Sequence, residues 1–130
     1  EGSFTPTFSS TSASFSYGTQ SGEYIKIGRV VHLFFRIALN SSPTGTLSNT
    51  TFIAGLPFTI DSTAHYAGGS VGHYFQFNKT STDEEIVLQS ISGGSTLELK
   101  LVGDNMGETS LTPAQMNSTA QIRTTFTYLT

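Results

Sequence analysis

The sequence predicts an all-β domain, an antiparallel β-sandwich of the jelly-roll kind, and three observations carry that reading. From Val30 the odd positions Val31, Leu33, Phe35, Ile37 and Leu39 are all apolar, the period-2 signature of a strand with one face in a core. Eight or so short segments of strand character are separated by clusters of Gly, Ser, Asn and Pro. No segment longer than a single turn carries a helical period, and no internal repeat suggests a solenoid or propeller.

Taken in order, Phe4, Pro6 and Phe8 share one parity, as do Ala13, Phe15 and Tyr17. Both runs read as short strands or extended edges, with Pro6 placing the first at a sheet edge where no donor is needed. Gly18 to Gly22 reads as a turn leading into a strand over Tyr24 to Ile27. After the central strand, Asn40 to Gly45 has turn chemistry, Phe52 and Ile53 make a short strand, and Gly55-Leu56-Pro57-Phe58 a bend. Asp61 to Gly72 is glycine-rich and reads as a loop or irregular hairpin. His73 to Asn78 resumes the alternation, and Asn78 to Glu85 is a polar, solvated turn. Ile86 to Ile91 and Leu97 to Val102 are strands joined by Ser92-Gly93-Gly94-Ser95, a hairpin signal. In the second of them Leu97, Leu99 and Leu101 share a face while Glu98 and Lys100 point away. Asp104 to Gly107 is a further turn. Thr112-Pro113-Ala114-Gln115-Met116 is one helical turn, with Thr112 as N-cap and Pro113 at the first helical position. Gln121 to Thr130 closes the chain, with Ile122, Phe126 and Tyr128 on one parity and Arg123, Thr125 and Thr127 on the other.

At 130 residues the chain fits a single domain, 1–130, large enough for a real core. Glu1-Gly2-Ser3 has the look of a cloning scar, and the chain is expected to be the C-terminal part of a longer protein. Charged residues are 12% of the chain, about half the ~25% of ordinary soluble domains, so the surface is rich in hydroxyls instead. That composition suits extracellular and virion proteins, whose strands expose Thr. The six Lys and Arg are scattered singly and the net charge is −3, which argues against a nucleic-acid partner. With no cysteine, disulfides, zinc-thiolate sites and thiol catalysis are excluded together. No apolar run reaches the ~18 residues that span a bilayer as a helix, so no membrane insertion is expected.

No catalytic motif appears: there is no His-x-x-x-His or His-x-His spacing, no Gly-x-Ser-x-Gly elbow and no phosphate-binding glycine loop. Asp83-Glu84-Glu85 lacks the spacing of a calcium loop and reads as a solvated turn, so no metal and no cofactor are expected. Two carboxylates distant in sequence can still meet in space, and that arrangement stays open. The sequons at Asn40, Asn49, Asn78 and Asn117 carry little weight in a chain so rich in Ser and Thr. The better candidates for binding are aromatic. His65-Tyr66 and His73-Tyr74 flank the Gly68-Gly69 segment, and residues of these types stack on sugar faces and bond hydroxyls. Within a strand each doublet sends one ring inward and the other outward. The core is the commoner place for any one such ring, and the loop position is what favours binding.

The second face of the central strand carries Val30, His32, Phe34, Arg36 and Ala38, too apolar for an ordinary solvated surface and too polar for a second core. Something is expected to cover it, with Val30, His32, Phe34 and Arg36 as candidate subunit-interface residues.

The string from Gly22 to Val31, Gly-Glu-Tyr-Ile-Lys-Ile-Gly-Arg-Val-Val, followed by Gly55-Leu56-Pro57-Phe58 and the aromatic closing strand Phe126-Thr127-Tyr128, resembles the C-terminal head domains of bacteriophage tail fibres and related virus fibre proteins. The resemblance spans nearly the whole chain and rests on a pattern of glycines and aromatics. It implies a homotrimeric β-sandwich head, the C-terminal part of a longer fibre protein on a virion, that binds a host-surface receptor, a glycan or a protein, without catalysis. Two other readings stand beside it. One is a purely structural trimerisation or capsid head-fibre module; the other is a monomeric carbohydrate-binding or lytic domain of a polysaccharide-degrading enzyme, with an acidic pair in a groove.

Overall fold

A computed structural model of the chain describes residues 1–63, 67–79, 85–103 and 107–130. Two antiparallel sheets enclose one core. The first contains β1 (Gly2–Phe4), β4 (Tyr17–Ile27), β5 (Val30–Leu39), β13 (Met116–Leu129) and β9 (His73–Phe77), in the order β1-β4-β5-β13-β9. The second contains β2 (Thr7–Ser9), β7 (Phe52–Ala54), β11 (Leu97–Val102), β10 (Glu85–Ser90) and β8 (Gly68–Ser70), in the order β2-β7-β11-β10-β8, with β12 (Thr109–Ser110) also paired to β11. A two-residue ribbon joins β3 (Ala13–Ser14) to β6 (Thr44–Gly45). The all-β sandwich expected from the sequence is the architecture observed.

Its core is the odd face of β5 facing the odd face of β11. Val31, Leu33, Phe35, Ile37 and Leu39 meet Ile53, Ile86, Leu88, Leu97, Leu99 and Leu101, and all of these are buried. Ile122, Phe126 and Tyr128 of β13 complete the inner face of the first sheet. Hydroxyls tie the two sheets together where their backbones diverge. The Phe8 N–H donates to Tyr17 Oη at 2.9 Å, and that hydroxyl donates to the Phe8 carbonyl at 3.1 Å, linking β4 to β2. On the far side Thr124 Oγ1 of β13 donates to the Ser70 carbonyl of β8 at 3.1 Å. Tyr128 Oη donates to the Phe58 carbonyl at 2.9 Å. Burial pushes the phenols of Tyr17 and Tyr128 above the ordinary value of 10.0, with these backbone bonds partly opposing the shift.

Several local expectations are corrected. Gly18 to Gly22 is not a turn: it lies within β4, paired to β5 from Tyr17 to Ile27 with an irregularity between Tyr17 and Thr19. A long neighbour ladder outweighs the turn propensity of Gly and Ser here. Gly22 is needed for space rather than bending, since a Cβ there would stand 2.6 Å from the Phe4 ring, which packs edge-on against Phe35. Phe4 and Phe8 do not share one edge strand. The chain changes sheets at the buried Pro6, which passes β1 in the first sheet to β2 in the second. Ala13, Phe15 and Tyr17 do not share one strand either: Ala13 is in β3 and Tyr17 opens β4, although the Phe15 and Tyr17 rings both pack on Phe8. Within the expected loop of Asp61 to Gly72, Gly68–Ser70 forms β8 against β10. The closing strand begins at Met116, five residues earlier than the alternation suggested, because the irregular stretch between Met116 and Gln121 breaks the period.

Other elements fall where expected. Leu97 to Val102 is β11, paired residue for residue with β10 from Ser90↔Leu97 to Glu85↔Val102. Gly55, at φ +83°, makes the bend after β7. Pro113–Gln115 is a single 3-10 turn, with the Thr112 N–H donating to Gln115 Oε1 at 2.9 Å. The turns expected over Asp104 to Gly107 and Asn78 to Glu85 lie largely outside the described residues.

Candidate functional site

The outer face of the first sheet follows from the register of four strands. Reading across β4, β5 and β13, Ile27, Val30 and Leu129 form one rung, and Ile25, His32 and Thr127 the next. Glu23, Phe34 and Thr125 follow. Ser21, Arg36, Arg123 and His73 of β9 make a fourth rung, and Thr19, Ala38, Gln121 and Phe75 a fifth.

Among the described residues the large exposed apolar side chains are Ile25 at 42%, Ile27 at 69%, Phe34 at 44%, Phe75 at 46% and Leu129 at 38%, and every one stands on this face. The outer face of the second sheet differs. Glu98, Lys100, Glu108 and Ser110 form a polar network on it, with Lys100 Nζ 3.0 Å from Glu98 and 3.8 Å from Glu108. Scattered exposed apolar residues need no explanation, but five gathered on one of two faces do.

The four interface candidates read from the sequence all lie here. His32 Nδ1 is 2.8 Å from Thr127 Oγ1 on the neighbouring strand. Arg36 donates to Gln121 Oε1 at 3.1 Å, while its Nε is buried without a hydrogen-bond partner among the described residues. Ile25, Ile27, Leu129, Phe75, Glu23 and Arg123 belong to the same surface and were missed. Their signal was the parity of β4, β13 and, for Phe75, β9, which becomes informative only once the register with β5 and β13 is known. A hollow of about 330 Å³ opens on this face, with Ser3, Glu23, Tyr24, Ile25 and Phe34 among its walls.

Of the four aromatic candidates, the two within the described residues part from each other. His73 and Tyr74 point to opposite faces of β9, as alternation requires. His73 is exposed beside Arg123, whereas Tyr74 packs on the core, edge-on to Phe77 with ring centroids 6.4 Å apart. Lys79 Nζ donates to the Tyr74 hydroxyl at 2.7 Å and lies over its ring. His65 and Tyr66 lie outside the described residues, as do Asp83 and Glu84; Glu85 opens β10. No group of three metal-ligating side chains occurs among the described residues.

No protein-family model, curated protein or solved structure matches the chain.

Proposed function

We propose that this chain is a non-catalytic head domain of the viral-fibre kind, which assembles as a homotrimer through the outer face of its first sheet and presents a site for a host-surface receptor, a glycan in the first instance. What supports the assembly is the gathering of Ile25, Ile27, Phe34, Phe75 and Leu129 on that one face. At ~4.8 Å per strand and ~3.3 Å per residue, four strands along the ten residues of β5 present a flat area on the order of 600 Å². The buried, unpartnered Arg36 Nε supports the same reading, since a buried donor left unpaired is unfavourable unless something completes it. The receptor-binding half of the reading rests on the likeness of the Gly22 to Val31 string and the closing aromatic strand to fibre heads.

The test is the solution mass of the chain by light scattering on a size-exclusion peak, followed by a glycan-array and host-cell binding screen of the assembled species. A mass near three chains with glycan or cell binding is the expected result. A monomer at all concentrations would overturn the assembly, and a trimer that binds neither glycans nor cells would reduce the domain to a structural module.

A further inference from the structure

Most of the six basic side chains have a visible occupation within one copy. Arg29 pairs with Asp61, and Lys100 with Glu98 and Glu108. Lys26 donates to the Gly28 carbonyl and lies over the Phe58 ring, and Lys79 lies over Tyr74. The remaining two, Arg36 and Arg123, stand directly opposite each other on β5 and β13, and His73 stands directly opposite Arg123 on β9. Like charges directly opposite on paired strands repel. Among the described residues no carboxylate lies within ion-pair reach of either arginine. Arg36 has a neutral acceptor in Gln121 but an unpartnered buried Nε, and Arg123 is exposed. A guanidinium carries five donors, so this rung is short of an anion.

The complement stands one rung away. Glu23 is exposed on β4, beside Phe34, and no cation among the described residues pairs with it. It walls the 330 Å³ hollow together with Ile25, Phe34 and the N-terminal residues Glu1 to Ser3, Glu1 adding further charge to the space. Such a hollow suits an arginine: apolar and aromatic walls for the methylene stem, and a carboxylate for a charge-assisted pair.

We infer that in the assembled head Arg123 of one copy enters this hollow on the next copy and pairs with the Glu23 there. The inference rests on the self-association proposed above and deepens it. Glu23 and Arg123 are a carboxylate and a guanidinium with no ion-pair partner among the described residues, both exposed on the same face of the same chain, and charge complementarity makes a second copy the occupant. Buried in that contact, the pair orients the subunits as well as holding them.

The experiment is a charge-reversal cycle on the full chain, read by light scattering across a dilution series at ~0.15 M salt. Glu23→Arg and Arg123→Glu each raise the apparent dissociation constant about tenfold or more, and the double variant returns it to within about threefold of the parent. Both residues are exposed in the single copy, so the folded β-sandwich persists. Glu23→Gln and Arg123→Gln, which cannot repel, serve should a reversal fail to fold, and each weakens the assembly in the same direction. A parent chain that is monomeric throughout overturns the self-association itself. A parent that assembles while all single variants match it overturns the pairing alone. Single variants that disrupt without rescue in the double also overturn it, and binding of an acidic glycan lost with Arg123→Gln would then assign the rung to a ligand anion.

Discussion

Leu33 and Phe34 are adjacent in β5, and the fold assigns them opposite work. Leu33 is fully buried against the second sheet, while Phe34 is 44% exposed on the outer face. Leu33→Ala removes buried methyl and methylene groups from a close-packed core and costs about 3 kcal/mol. For a chain of 130 residues, an unfolding entropy of ~2.1 cal/mol/K per residue converts this to a fall in Tm of about 10 °C, independent of protein concentration. Phe34→Asp behaves otherwise. In an isolated copy it strips the already buried part of the ring, roughly 110 Å², from the sheet and costs about 2–3 kcal/mol on the same area coefficient. In the assembly, 44% of a ring worth ~200 Å² leaves roughly 90 Å² to bury, about 2 kcal/mol per contact or ~30-fold in affinity. An unpaired buried carboxylate adds several kcal/mol more. The expected outcome is a folded monomer by light scattering, with a Tm that no longer rises with protein concentration. A Phe34→Asp chain that keeps the parent's mass and melting refutes the interface, and a Leu33→Ala chain within ~3 °C of the parent refutes the core packing described.

Three further outcomes follow from the same structure. Because the phenols of Tyr17 and Tyr128 are raised in the fold, the stability they contribute is complete below the unfolded value of 10.0 and is lost as pH rises through the folded values. Denaturant melts should therefore weaken above about pH 10, and less steeply in Tyr17→Phe and Tyr128→Phe. Gly55→Ala forces a side chain into φ +83° and sets its Cβ 2.2 Å from the Thr5 carbonyl oxygen, so a loss of at least about 2 kcal/mol is expected in a urea melt. Tyr74→Ala should lower Tm by several degrees because the ring packs on the core, while His73→Ala leaves it unchanged; if the two variants melt alike, the alternation assigned to β9 is wrong.

How much was legible in the sequence varies by element. β5 and β11 were legible because each has one wholly apolar parity and each runs next to paired strands throughout. β4 was half legible: Tyr24 to Ile27 alternates, but Gly18 to Gly22 has the composition of a turn, and only ten residues of β5 lying alongside make it a strand. β8, Gly68-Gly69-Ser70, has no side-chain pattern to read. It is a strand because β10 offers it an edge, with Gly69 leaving room for the Phe126 ring, which would stand 3.2 Å from a Cβ there. The outer face was visible as an anomaly on one strand. Its extent, and the isolation of Glu23 from Arg36 and Arg123, were not.

The sequence by itself determined the all-β class, the single core, the inward parity of β5, β11 and β13, and the peculiar second face of β5. These follow from period-2 burial, which is a local property of the chain. Only the tertiary structure decided that Pro6 carries the chain from one sheet to the other, that Tyr74 rather than His73 turns to the core, and that five exposed apolar side chains share a surface with two facing arginines. Those facts depend on strand order and register, which long-range pairing sets, and a shift of one residue in any ladder would have sent each of these side chains to the other face.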